Sequence, residues 1–230
     1  EAGEPPDQRI IQSMGALVQE SLKNGVFLNG AGLHASAKRK RLTRSNSGWT
    51  EQGGPYEGQN ELVSSFVMIR DESLEDAVLH ARSYAEACGD SAIEIGPVVE
   101  PWDLGVMTKP SGPVPQRFLL LSKADGAFER GETNLQKRNA ALAELKRALE
   151  PDGAVFVADT LAPSAKAARS APSSHGKRTW VDGPFAESKE LIAGFSLLEL
   201  PSRADAIAWA DRYAAILVDS EVDVRELLQN

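Results

Sequence analysis

The sequence predicts an α+β fold made of two copies of a β-α-β-β-α-β unit, and two observations carry that reading. Gly53-Gly54-Pro55-Tyr56-Glu57-Gly58-Gln59-Asn60-Glu61-Leu62 recurs as Asp182-Gly183-Pro184-Phe185-Ala186-Glu187-Ser188-Lys189-Glu190-Leu191. From Gly54 to Gly183 is 129 positions, and that offset holds without a gap from there to the end of the chain. Phe66 falls on Phe195, Ser73 on Ser202 and Tyr84-Ala85 on Tyr213-Ala214. Upstream, Ser36-Ala37-Lys38 falls on Ser164-Ala165-Lys166 after a one-residue slip. A long period with two copies means a tandem pair rather than a solenoid. The second observation is that short apolar runs alternate with helix-period stripes in both copies.

In copy one, Ile10, Met14, Leu17, Val18 and Ser21 keep helical spacing, and Asn24-Gly25 ends that helix. Val26 to Leu28 reads as a strand. Residues 36–61 are polar and Gly-rich, which predicts mostly loop with room for a short hairpin. Leu62 to Ile69 is strand-like. Ser73 is an N-cap with Asp76 three residues on, and Leu74, Ala77, Val78, Ala81, Tyr84 and Ala85 form the buried stripe of the helix that follows. Ile93 and Ile95 mark a last strand.

Pro101 to Pro115, with four prolines and two glycines, is a linker. Copy two opens with a strand at Phe118 to Leu121 and a helix over 133–149 buried through Leu135, Leu142, Leu145 and Leu149. After a Pro151-Asp152-Gly153 turn come a strand over 154–158, a polar loop to Val181, a strand over 195–200, a helix capped by Ser202 and a strand over 222–227. The predicted organisation is repeat 1 over 1–100, linker 101–115 and repeat 2 over 116–230. The element order is that of a ferredoxin-like sandwich. Glu1-Ala2-Gly3-Glu4-Pro5-Pro6 cannot supply the strand with which copy two begins. That strand is central in this topology, so the expectation is a native segment upstream of Glu1 resembling Phe118 to Leu121.

Composition narrows the function. A net charge of −8 argues against nucleic acid, whose phosphates need Lys and Arg. The single Cys88 excludes an internal disulfide and a Cys-rich zinc site. No apolar run reaches the roughly 20 residues of a membrane span and no signal peptide is visible. The cytoplasm is therefore the default and no membrane partner is expected. His34, His80 and His175 lie without carboxylates at ligand spacing, and no Gly-rich phosphate loop occurs, so neither metal nor cofactor is expected. His80 on a polar helix face and His175 in a turn read as structural. Ser64 and Ser65 have no base motif beside them. The run Lys38-Arg39-Lys40-Arg41 with Arg44 reads as a solvated face.

Asp182-Gly183-Pro184-Phe185-Ala186-Glu187-Ser188-Lys189-Glu190 resembles the signature of the DGPF family, a branch of the YCII-related proteins. Gly32-Leu33-His34-Ala35-Ser36 is similar to its second, Gly-Leu-His-Pro-Ser motif. The resemblance covers nearly the whole chain, twice. It implies a dimeric α+β barrel of two ferredoxin-like sheets, here closed within one chain. It also implies a His and an Asp acting as an acid/base pair. Copy one keeps His34 but has Gly53 for the Asp, whereas copy two keeps Asp182 but has Ala162 for the His. Either the site has decayed, or one composite site uses His34 and Asp182 together. Trp49, Tyr56, Phe66, Trp180, Phe185 and Phe195 are the candidate substrate-binding side chains. The expected function is binding of a small molecule between the two sheets, extending to cofactor-independent isomerisation, cyclisation or elimination. The alternative is a non-catalytic regulatory or partner-binding protein in sigma-factor or biosynthetic gene contexts. A homodimer is compatible with either.

Overall fold

The structure, a computed structural model, describes residues 7–59, 61–112, 114–149, 154–171, 178–188, 191–217 and 220–228. His175 and the 151–153 turn lie outside these residues. The first half runs α1 (Gln8–Lys23), β1 (Phe27–Gly32), β2 (Lys40–Ser45), β3 (Gly48–Gly53), β4 (Val63–Asp71), α2 (Leu74–Cys88) and β5 (Ala92–Pro97). The second runs β6 (Gln116–Lys123), α3 (Gly126–Glu129), α4 (Leu135–Leu149), β7 (Ala154–Thr160), β8 (Ala168–Ala171), β9 (Thr179–Asp182), β10 (Gly194–Leu198), α5 (Arg203–Leu217) and β11 (Val222–Val224). One 3-10 turn, Ser36–Lys38 or Ser164–Lys166, precedes the hairpin in each half.

Local chemistry sets the element ends. The Ser73 hydroxyl accepts the Asp76 amide at 3.1 Å, and Gly89 closes α2 at φ +84°, a left-handed turn that glycine adopts at least cost. Ser202 caps α5 in the same way, accepting the Asp205 amide at 3.1 Å. The expected α2 stripe is buried at Ala77, Val78, Ala81, Tyr84 and Ala85, with Leu74 partly buried at its start. The polar segments of both halves fold as hairpins. β2 pairs with β3 from Lys40–Gly53 to Ser45–Gly48, and β8 pairs with β9 from Ala168–Asp182 to Ala171–Thr179.

The fold is α+β, but the strands group differently from the sequence repeats. A six-stranded sheet has the order β3-β2-β5-β6-β4-β7. β6 lies between β5 and β4 and is antiparallel to both, with Phe118 opposite Pro97 on one side and Ile69 on the other. The sheet therefore takes β2 to β5 from before residue 98 and β6 and β7 from after residue 115. The run β4-α2-β5-β6-α4-β7 has split-βαβ order, across the repeat boundary. The expectation that each repeat completes its own sheet is corrected here. The physical reason is that the central slot needs a strand buried on both faces, and Phe118, Leu119, Leu120 and Leu121, all at most 4% exposed, supply it. The remaining strands form a pair, β1-β10, and a three-stranded sheet, β11-β8-β9.

Two apolar clusters flank β6. Phe118 and Leu120 join Val67, Ile69, Ile93, Ile95, Tyr84 and Leu145 under α2 and α4. On the opposite face, Leu119 and Leu121 pack with Phe66, Met68, Leu33 and Val98, against Phe195 and Leu227. The space where a pocket between sheets was expected is thus packed with side chains. The sheets touch at their edges through the bridges Leu33–Val98 and Leu161–Leu227, but among the described residues they remain three separate sheets and do not close as the expected barrel.

Candidate functional site

The Gly-Pro motifs sit where each hairpin meets the preceding 3-10 turn. A Cβ on Gly54 would lie 1.9 Å from the Ser36 carbonyl oxygen, and one on Gly183 would lie 1.8 Å from that of Ser164. Only glycine permits so close an approach of two backbones. The amides of Gly54 and Gly183 donate to the carbonyls of Arg39 and Ala167 at 3.2 and 3.1 Å, and both Gly–Pro bonds are cis. The motif residues accordingly build the corner, whatever else they do. Gly183→Ala is expected to destabilise the chain by about 1–3 kcal/mol, because a backbone carbonyl cannot move aside as a side-chain tip can. A denaturant midpoint unchanged from the parent would contradict this.

His34 follows β1, and its amide donates to the Pro97 carbonyl at 3.1 Å. Its Nε2 lies 3.3 Å from Oδ2 of Asp103, an oxygen that also accepts the Glu100 amide at 2.8 Å. Lys38 Nζ stands 3.5 Å from the ring's Nδ1. The His34 side chain is 17% exposed and that of Asp103 33%, so the couple is sheltered yet reachable. Asp103, in the 101–115 segment that was expected to be a linker, carries no sequence signal of its own. It lies 69 positions from His34 in no motif, and only the fold of the 101–105 segment places it.

Behind His34 lies a buried charge cluster. Arg39 donates Nε to the His34 carbonyl at 2.6 Å and Nη1 to the Ile192 carbonyl at 2.8 Å, and it pairs with Glu94 at 3.1 Å. Arg41 bridges Glu61 at 2.9 Å and Glu94 at 2.8 Å. Lys123 pairs with Glu94 at 3.1 Å and with Glu61. Burial alone would push the Glu94 carboxyl up; Lys123, Arg41 and Arg39 outweigh it and hold the group down at about 2. The Arg41 guanidinium lies 4.2 Å from the Tyr56 ring centroid. Burial, then Glu94, pushes the Tyr56 phenol above its usual range. The basic run is therefore not a solvated face. Arg39 and Arg41, two apart in extended backbone, turn inward, while Lys40 turns outward to Glu51 at 2.8 Å.

The other half repeats this geometry with exchanged residues. Ala162, the counterpart of His34, donates its amide to the Glu226 carbonyl at 2.8 Å. Arg169 lies 4.2 Å from the Phe185 centroid and pairs with Asp223 at 2.7 Å, as Arg41 does with Tyr56 and Glu94. Arg225 donates to the Ala162 carbonyl at 2.6 Å, the contact Arg39 makes to His34. Arg225 occupies the position of Gly96, and Ala167 that of Arg39, so one guanidinium fills each corner from opposite strands. Asp182 ends β9 and is ion-paired with Arg203. With Ala165, Lys166, Arg203 and Glu226 it lines an open cleft of about 390 Å³. His34 and Asp182 thus stand at corresponding corners of the two halves and share no hydrogen-bond or ion-pair partner among the described residues.

Of the aromatic candidates, Phe66 and Phe195 come together between the sheets, ring centroids 4.8 Å apart. Trp49 instead packs against the cluster under the helices, and Trp180 Nε1 donates to Asp211 of α5 at 2.8 Å. Phe185 packs with Leu62, Ala124 and Phe128. His80 Nδ1 lies 2.7 Å from Asp71 Oδ2, a structural contact at the start of α2. Among the described residues no three His, Cys, Asp or Glu side chains gather as a metal site, and no helix is long and apolar enough to cross a membrane.

No curated protein and no solved structure matches the chain. Residues 117–227 match the YCII-related domain, the stretch from β6 through the Leu161–Leu227 bridge, with the Asp182 motif inside it. The family to which this half of the chain is similar is the YCII-related one.

Proposed function

We propose that the chain is a small-molecule-binding YCII-like protein of the DGPF branch, with His34 as its acid/base group and Asp103 as the carboxylate that orients it. The observation that carries the reading is the 3.3 Å His34–Asp103 contact at a partly exposed corner. An imidazole held by a carboxylate is placed to move a proton on a bound ligand. Arg39 holds the His34 backbone from beneath, and Lys38 adds a cation beside the ring, which suits an anionic or enolate-forming ligand. Asp182 with Arg203 and Lys166 forms the corresponding corner of the second half, a cleft lined by charge but without the imidazole. The tandem reading, with repeats at 1–100 and 116–230 joined by 101–115, is supported by backbone hydrogen bonds that recur between corresponding residues, His34 to Pro97 and Ala162 to Glu226, Gly54 to Arg39 and Gly183 to Ala167.

The test is a ligand screen by protein-observed NMR, followed by turnover of any isomerisable or eliminable hit. His34→Ala and Asp103→Asn are expected to reduce turnover by about 10²–10⁴-fold with melting temperatures near the parent's, and Asp182→Asn to leave it within a few-fold. Hits that perturb only the Asp182 cleft, or an inactive Asp182→Asn beside an active His34→Ala, would overturn the assignment. A non-catalytic, partner-binding reading is favoured by one observation: the face between the sheets is filled by side chains rather than open to a ligand.

A further inference from the structure

We propose that the gap between β10 and β11 is a strand-binding slot, and that its occupant is an apolar strand joined ahead of α1. In the six-stranded sheet, β6 separates β4 from β5 and bonds to both. The other strands and the main helices have counterparts in the second set: β10 for β4, β11 for β5, β8 for β2, β9 for β3 and β1 for β7, with α5 for α2 and α1 for α4. Among the described residues β6 alone has none. Among the described residues β10 bonds only to β1 as a neighbouring strand, and β11 only to β8, so the two edges that correspond to those β6 fills in the other sheet have no strand on them.

Burial tells the same story position by position. Ile93 and Ile95 of β5 are 0% exposed, whereas Val222 and Val224, their counterparts in β11, are only partly buried. Met68 and Ile69 of β4 are at most 1% exposed, whereas Leu197 and Leu198 of β10 are partly exposed throughout. Unpaired strand edges of this kind accept a further strand through main-chain hydrogen bonds.

The β6 side chains specify what fits. Phe118 and Leu120 face the helices and Leu119 and Leu121 face the other sheet, so the occupant is apolar on both faces. Lys123, two residues past that run, reaches Glu94 and Glu61. Asp223 is the counterpart of Glu94, so a basic residue belongs at that place in the occupant. The connection is specified too, because β6 leads into α4 and the equivalent helix is α1.

The experiment compares the 230-residue chain with one carrying the sequence of residues 116–134 fused ahead of Glu1, and with a fusion of the same composition scrambled. Amide hydrogen exchange is read at 194–198 and 222–224. The native-order fusion is expected to slow exchange there at least tenfold and to raise the melting temperature; the scrambled one to do neither. A synthetic peptide of residues 116–123 added in trans should protect the same amides, which keeps the idea testable if the fusion misfolds. The proposal is overturned if neither addition protects them. It is overturned equally if the monomeric chain alone already protects β10 and β11 as well as β4 and β5, or if that protection appears only on dimerisation, which would make a second copy the occupant.

Discussion

Glu94→Ala is expected to cost about 3–5 kcal/mol of folding free energy, read as a lowered urea midpoint with an unchanged slope. Glu94 is 1% exposed and meets three cations, Arg39, Arg41 and Lys123, through its two carboxylate oxygens. Among the described residues, removing it leaves Arg41 and Lys123 with Glu61 and leaves Arg39 with no carboxylate, and a buried charge without a partner is far more costly than the intact pair is beneficial. Glu94→Gln keeps the shape and should still lose much of the stability, which separates charge from packing. The same group sets an acid limit. Its folded-state value of about 2 lies below the ordinary 4.5, so its contribution is present above pH 4.5 and is lost as pH falls toward 2. The slope of stability against pH between 4.5 and 2 should therefore be shallower in Glu94→Gln than in the parent. Equal slopes would remove Glu94 from the acid transition.

Phe118→Ala is the second large effect, expected at about 3–5 kcal/mol because a 1%-exposed aromatic leaves a cavity under two helices. Its meaning is topological. Phe118 comes after the 101–115 segment but lies opposite Ile69 and Pro97, which come before it. Hydrogen exchange in Phe118→Ala should therefore accelerate in β4, β5 and α2 as much as in β6 and α4. Acceleration confined to residues after 115 would mean that each half folds on its own strands.

Much of the fold was legible because its signals are local. The α2 stripe, the Ser73 and Ser202 caps and the strand at Phe118 to Leu121 follow from periodicity and capping chemistry. The hairpin β8–β9 was not read, since its sequence is polar and its pairing is a matter of partners rather than pattern. His34 was marked by its motif, and its carboxylate partner was not, because Asp103 reaches it from a segment that composition marks only as linker. Arg39 and Arg41 illustrate the same limit: a run of four basic residues looks solvated until alternation in an extended segment turns two of them toward Glu61 and Glu94.

The α+β class, the helix caps and the recurrence of the Gly-Pro motif are written in residues near one another in the chain, whereas the need for glycine in that motif comes from the backbone carbonyls of Ser36 and Ser164, which folding brings against it. Which strands share a sheet depends instead on contacts made in the folded state. β6 is interchangeable, as an apolar strand, with any other that could fill a central slot. The choice of β4 and β5 as its neighbours is made by burial on both of its faces and by Lys123 reaching Glu94 and Glu61, contacts between residues dozens of positions apart.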